Sequence, residues 1–189
     1  MRRAALFASL AVVAGAVSAA PWDLSQLMRA LASNQGGRAS FVETKYIALL
    51  DAPVQSSGEL TYAPPDRLEK RTQKPKAEYM KLDKDTLSIE RGNKKLAINL
   101  GDQPEALAFV DSIRRTLAGD RAALERHYAL HLAGTADRWT LNLLPNDPRI
   151  AALVTSITIA GEANQVRRIE YRQADGDRAV MSVAPLDGR

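Results

Sequence analysis

The chain has 189 residues, of which 26 are basic, 22 are acidic and none is cysteine, and its formal net charge is +4. This length suits one domain with a hydrophobic core, and the lack of cysteine excludes disulfide bonds, thiolate metal sites and cysteine nucleophiles. Without Arg2 and Arg3, 24 basic residues stand against 22 acidic ones, so the net charge gives little support to a nucleic-acid-binding function.

The first 19 residues are typical of a signal peptide. Arg2 and Arg3 precede a run of small and apolar residues at 4–17, and Val17-Ser18-Ala19 has the small-x-small pattern of a cleavage site. The run is shorter than the roughly 20 residues that span a bilayer; a buried N-terminal helix is the alternative. We therefore expect cleavage after Ala19, a single domain over residues 20–189 and a soluble protein in the periplasm.

A first amphipathic helix is predicted over residues 22–35. Asp23 or Ser25 can cap its start, and Gly36 follows its end. Its apolar side chains recur at i, i+3, i+4 and i+7 and form one stripe; they are Leu24, Leu27, Met28 and Leu31.

From residue 39 onward the apolar period changes from 3.6 to 2, which predicts strands. About ten to eleven short antiparallel strands follow in meander order, and a sheet of that length tends to curl. The predicted fold is α+β, an incomplete antiparallel β-barrel with a helical lid on its concave face. The predicted strands lie near 39–47, 54–62, 67–72, 78–82, 86–91, 94–100, 127–132, 138–144, 154–160, 166–173 and 178–184.

A second helix is predicted over residues 104–118, between the sixth and seventh strands. Asp102 is a candidate N-cap and Gly119 a stop signal. Arg114 and Arg115 are expected to face away from the sheet. The apolar stripe consists of Leu107, Val110, Ile113 and Leu117, widened by Ala106 and Phe109.

No catalytic or metal-binding constellation is visible. His127 and His131 are the only histidines and fall on a predicted strand, without an acidic residue that completes a three-ligand set. The sequence Asp175-Gly176-Asp177 lacks the later glutamate of a calcium loop, and no serine lies in a Gly-x-Ser-x-Gly elbow. We predict no enzyme activity, no metal and no cofactor.

Basic residues cluster in one segment that contains a single aromatic residue, Tyr79. Nucleic-acid sites combine such charge with stacking aromatics, so a solvated strand face is the preferred interpretation and no nucleic-acid partner is predicted. The cluster comprises Arg67, Lys70, Arg71, Lys74, Lys76, Lys81 and Lys84.

The alternating apolar residues either fill an ordinary core or surround a cavity for an acyl chain. Each buried methylene contributes about 0.8 kcal/mol to the binding free energy. An apolar pocket under a helical lid can therefore hold an acyl chain without polar binding groups. Leu143, Ile157, Ile159, Ile169 and Tyr171 belong to the same inward-facing set. The predicted hydrophobic cargo-binding residues of cavity and lid are Leu60, Tyr62, Met80, Leu82, Leu87, Ile89, Leu96, Ile98, Phe109, Val110, Ile113, Leu117, Trp139 and Leu141.

Two motifs carry a family resemblance. Residues 39–43 (ASFVE) are similar to a small-Ser-Phe-x-Gln strand opening, and residues 58–65 (GELTYAPP) resemble Gly-x-Leu-x-x-x-x-Pro. With the signal peptide and the N-terminal helix, the chain resembles the LolA-like periplasmic carriers of outer-membrane lipoproteins. The resemblance implies an apolar cavity for acyl chains, no cofactor, an inner-membrane donor, an outer-membrane acceptor and a monomeric protein.

Two positions and the composition depart from the family pattern. Pro64 stands where an arginine usually latches the lid, Glu43 stands where glutamine is common, and aromatic residues make up 5% of the chain. We therefore expect a divergent member dedicated to another lipidated or hydrophobic cargo. The alternatives are an envelope binding or sensor module on the same fold and, third, a hydrolase.

Overall fold

The computed structural model describes residues 22–102 and 104–186, apart from the side chains of residues 104–106, 108 and 109. The predicted signal peptide lies outside the described residues. In the described ranges, no helix combines the length and the apolar character needed to cross a membrane.

The elements confirm the predicted order of one helix, six strands, further helices and five strands. A short 3-10 turn at Leu100–Asp102 precedes the second helix. In chain order they are α1 (Leu24–Ala32), β1 (Gly37–Tyr46), β2 (Val54–Ala63), β3 (Arg67–Lys74), β4 (Glu78–Asp83), β5 (Thr86–Arg91), β6 (Lys94–Asn99), α2 (Pro104–Leu117), α3 (Arg121–Glu125), β7 (Tyr128–Thr135), β8 (Arg138–Pro145), α4 (Pro148–Ala151), β9 (Val154–Glu162), β10 (Gln165–Gln173) and β11 (Arg178–Pro185).

The eleven strands found in the described part of the chain form one antiparallel sheet in the order β6-β5-β4-β3-β2-β1-β11-β10-β9-β8-β7. The first and last strands meet in its middle, where Phe41 lies opposite Val183 and Glu43 opposite Met181. The edges β6 and β7 do not pair with each other, so the barrel is incomplete, as predicted. The chain that connects these two edges contains α2 and α3.

Helix α1 begins with a capping box. The Gln26 backbone N–H donates to Asp23 Oδ1 at 2.8 Å, and the Asp23 N–H donates to Gln26 Oε1 at 3.0 Å. The helix is shorter than predicted at its C-terminal end, because Ser33 caps it and the Asn34 side chain donates to the Asn164 carbonyl at 2.9 Å. Its stripe therefore stays fixed over the sheet.

The packed core lies between α1 and the β7–β9 half of the sheet. Leu27 and Leu31 of α1 are fully buried there. This half is filled, as in an ordinary protein interior. Its members are Leu27, Met28, Leu31, Leu124, Tyr128, Trp139, Leu141, Leu143, Ile150, Val154, Ile157 and Ile159.

Gly119 ends α2 as predicted and also sets its distance from α1. Its φ is +67°, and a Cβ at this position would lie 2.2 Å from the Met28 carbonyl oxygen and 2.9 Å from Ala32 Cβ. Only glycine fits both the left-handed conformation and the contact. The two helices thus approach each other at the end of the filled half.

Candidate functional site

A cavity of about 580 Å³ lies between the concave face of the sheet and α2. Its volume falls within the range of roughly 300–1,000 Å³ that is common for small-molecule sites. Strands β1–β5, β10 and β11 supply the walls. The apolar lining residues are Ala39, Leu60, Tyr62, Leu68, Met80, Leu82, Leu87, Val110, Ile113, Leu117, Val166, Ile169, Met181 and Val183.

Strand register places these apolar side chains on one face. Tyr62 lies opposite Leu68, Leu68 opposite Leu82, and Leu82 opposite Leu87. Directly opposite residues in antiparallel strands point to the same side of the sheet. The period of two in each strand therefore becomes one continuous apolar wall across four strands.

Most of the predicted cargo-binding residues line this cavity. They come from β2, β4 and β5 on the sheet side and from α2 on the lid side. They are Leu60, Tyr62, Met80, Leu82, Leu87, Val110, Ile113 and Leu117.

Five of the other predicted residues lie outside the lining of this cavity. Trp139 and Leu141 belong to the packed core, because α1 rather than α2 covers β8. The side chain of Phe109 lies outside the described residues. Ile89, Leu96 and Ile98 share the concave face but lie toward the open edge, where Leu96 is 55% exposed. The alternation of apolar residues along a strand predicts the face of the sheet on which a side chain lies. It does not predict which helix covers that face.

Helix α2 buries a polar side as well as its apolar stripe. Ser112 and Thr116 are fully buried, and Thr116 Oγ1 donates to the Ser112 carbonyl at 2.6 Å. Tyr128 packs beside them, and burial raises its pKa to about 12 despite a hydrogen bond with Ser112. The stripe residues Ile113 and Leu117 are only partly buried, because they border the cavity.

Arg114 faces inward, so the expectation that it faces away was wrong. Its side chain is 4% exposed. Nε donates to Asp111 Oδ1 at 2.7 Å, NH2 donates to Asp85 Oδ1 at 3.2 Å, and NH1 donates to the Lys84 carbonyl. A guanidinium can make this set of contacts because it carries five donors in one plane. Arg114 thus ties α2 to the β4–β5 turn; we call this contact the lid latch.

One end of the cavity carries charge. Glu43 of β1 accepts a hydrogen bond from Lys70 Nζ at 2.6 Å and one from Ser56 Oγ at 3.3 Å. Lys45 Nζ lies 3.9 Å from the same carboxylate, and Lys70 Nζ also lies 4.8 Å from the centroid of the Phe41 ring. The cluster of basic residues around Lys70 predicted a solvated strand face. Lys70 itself therefore does not lie on such a face. We call Glu43, Lys45 and Lys70 the charged triad.

Tyr171 of β10 lies at the same end of the cavity. Burial raises its pKa to about 12, and the negative charges of Glu43 and Asp177 contribute in the same direction. Burial also raises the pKa of Tyr62, with a further contribution from Asp66. Both phenols therefore stay neutral at physiological pH, and both residues line the cavity.

The family profile described as outer membrane lipoprotein carrier protein LolA-like matches residues 16–186, nearly the whole chain. The chain belongs to the LolA-like family. The family resemblance stated from the two sequence motifs is thereby confirmed, including the incomplete barrel. Among curated proteins, none is significantly similar to this LolA-like chain in sequence.

Three solved structures are similar to this LolA-like protein at low identity. A LolA superfamily protein from Nitrosomonas europaea is 7% identical with a TM-score of 0.43, covering 86% of this chain and 93% of that one. A DUF1329 family protein from Desulfovibrio piger is 10% identical with a TM-score of 0.48, covering 88% and 92%. MucB, in its complex with MucA from Pseudomonas aeruginosa, is 13% identical with a TM-score of 0.46, covering 88% and 59%.

The lid of this LolA-like protein is held without the arginine that the family pattern places before the proline. Pro64 occupies that position, in the turn between β2 and β3. Arg114 reaches from the lid to the sheet instead. Sequence reasoning missed it, because arginine on a helix is ordinarily solvent-exposed and the contact with the β4–β5 turn is long-range.

The described residues hold no group of three or more histidine, cysteine, aspartate and glutamate side chains that could bind a metal ion. His131 is exposed on β7, and His127 precedes that strand. The Asp175-Gly176-Asp177 segment is a hairpin turn, in which the Asp177 N–H donates to Asp175 Oδ1 at 3.0 Å. Asp177 Oδ1 also accepts from the Ala48 N–H at 2.8 Å, which joins two neighbouring hairpins.

Proposed function

We propose that this protein is a periplasmic carrier that binds the acyl chains of lipoproteins or of another hydrophobic cargo and transfers that cargo to the outer membrane. The observation that carries the proposal is the cavity of about 580 Å³ between the sheet and α2. Its apolar lining suits a hydrocarbon chain, because the hydrophobic effect needs no directional partner. Membership of the LolA-like family supports the same function.

Transfer requires that the cargo leaves as well as binds. Each buried methylene contributes about 0.8 kcal/mol, so a long chain in a closed apolar pocket would be held very tightly. Here Ile113 and Leu117 remain partly exposed, and Arg114 of the lid latch holds α2 to the sheet by polar contacts that can be exchanged for water. The partly exposed stripe and the exchangeable polar contacts of Arg114 fit a lid from which cargo can be released.

The route of the cargo follows from the same proposal. A signal peptide at residues 1–19 would export the chain to the periplasm, where an inner-membrane donor and an outer-membrane acceptor would load and unload it as a monomer. We propose no cofactor and no covalent chemistry. An envelope sensor on the same fold would differ in one respect, since its partner would recognise the outer sheet face, including Arg71, rather than the cavity.

The direct test is the binding of an environment-sensitive fluorescent fatty acyl probe to the mature protein. We expect saturable binding, displacement by acylated cargo, and at least tenfold weaker binding by Ile113→Asp, because a buried charge opposes an apolar ligand. Leu153→Asp is the matched control, since Leu153 lies 48% exposed in the turn after α4. Absence of saturable probe binding in the wild type would rule out the carrier function, and equal binding by Ile113→Asp would rule out this cavity.

A further inference from the structure

Five charged side chains line the described cavity wall. Those of the charged triad are the ones without an ion-pair partner outside the wall. Arg38 and Glu69 also line the cavity, but Arg38 pairs with Glu59, and Glu69 accepts from Arg67 Nε at 2.9 Å. In the triad one carboxylate stands between two ammonium groups. The triad therefore carries one excess positive charge.

The accessible charges of the triad are positive. The side chain of Glu43 is 3% exposed, whereas those of Lys70 and Lys45 are 23% and 45% exposed. Lys70 already donates to Glu43 at 2.6 Å, and the 3.9 Å between Lys45 Nζ and Glu43 exceeds hydrogen-bond distance. An incoming ligand group thus meets the ammonium groups first and the carboxylate last.

The cavity extends from the triad along β1, and the neighbouring strands and α2 supply most of its apolar wall. Lys45 and Ala39 both line the cavity, and Gly37 lies at its opposite end. Lys45 lies eight positions after Gly37, which corresponds to roughly 26 Å of extended strand. A ligand whose charged end contacts Lys45 therefore has an apolar path for a long chain.

We propose that the charged triad binds the anionic head group, a carboxylate or a phosphate monoester, of an acyl amphiphile whose chain occupies the apolar cavity. This inference rests on the proposed carrier function and specifies its cargo class. A cationic head group is disfavoured, because it would meet Lys45 and Lys70 before Glu43. A neutral head group would gain no ionic contact with Lys45, whereas an anionic one would form a charge-assisted hydrogen bond.

The experiment compares three ligands with the same twelve-carbon chain: dodecanoate, dodecyl phosphate and neutral dodecanol. Binding is measured by displacement of a fluorescent acyl probe, with dodecanoate and dodecyl phosphate below their micellar concentrations and dodecanol below its aqueous solubility limit. We expect the anionic ligands to bind about tenfold more tightly than dodecanol, as hydrogen bonds between ionised groups outweigh neutral ones. The two anionic arms distinguish a fatty acid carboxylate from a phosphate head group.

Two substitutions in the triad should act with opposite sign. Lys45→Met should bring the affinity for the anionic ligands to within about threefold of dodecanol, while Glu43→Gln should raise it severalfold by leaving Lys70 without its carboxylate. Each affinity is compared with that for dodecanol in the same variant, because both side chains line the cavity. Lys94→Met is the control, because it removes one exposed positive charge on β6 outside the cavity wall.

Equal affinity of the wild type for the anionic and neutral ligands would overturn the inference and leave the carrier function standing. A loss on Lys94→Met as large as on Lys45→Met would also overturn it, because the effect would then be one of net charge. Failure of all three ligands to bind would contradict both the inference and the carrier function.

Discussion

Leucine meets two different environments within the same sheet. Leu141 is fully buried in the packed core, whereas Leu60 borders the cavity. We predict that Leu141→Ala lowers the free energy of unfolding by about 2–5 kcal/mol, because it opens a new void. Leu60→Ala should cost on the order of 1 kcal/mol, since the space beside it is already open. Urea unfolding measures both, and equal losses would contradict the division into filled and hollow halves.

Tyr171 should control part of the alkaline stability. Its pKa is about 12 in the folded protein and about 10 when unfolded. Folding thus favours the neutral phenol. The contribution of Tyr171 to the free energy of unfolding is complete below pH 10 and is lost as the pH rises through 12. We predict that the wild type loses on the order of 1 kcal/mol more than Tyr171→Phe between pH 9.5 and 11. Parallel pH curves of unfolding free energy for the two proteins would contradict this assignment.

At the scale of elements, α2 is held by two kinds of contact. Its apolar residues border the cavity, and Arg114 ties it to the β4–β5 turn. We predict that Arg114→Met raises the dissociation rate of a bound acyl probe severalfold, because the lid opens more often. Arg115→Met is the matched control, since Arg115 pairs with Asp111 and Asp120 rather than with the sheet. Stopped-flow displacement measures the rate, and equal rates for the two variants would contradict the latch.

The elements themselves were predictable from sequence, because their signals are local. The period of two, the capping Asp23 and the stop at Gly119 gave the strands and helices to within a few residues. Arg114 and the charged triad were not predictable in the same way. Lys70 follows Leu68 at a spacing of two and so shares its inward face, but only the β1–β2–β3 pairing brings it to Glu43. Long-range register is not a local property of sequence.

For the whole molecule, the two helices divide one curved sheet into unequal halves. α1 fills the β7–β9 side, and α2 leaves a cavity over β1–β5. The sequence predicted both an apolar concave face and two single-stripe helices, but it left open whether the interior is filled or hollow. The answer depends on how far each helix sits from the sheet, which the hydrophobic pattern does not encode.

The central claim is that the cavity between α2 and the sheet carries an acyl ligand in the cell. Native mass spectrometry of the protein, purified gently from the cells that produce it, tests it most directly. We predict an adduct with the mass of an acylated molecule on the wild type and on Leu153→Asp, and its loss on Ile113→Asp. A wild-type protein that is free of any acylated adduct, or an adduct that persists unchanged on Ile113→Asp, would contradict the claim.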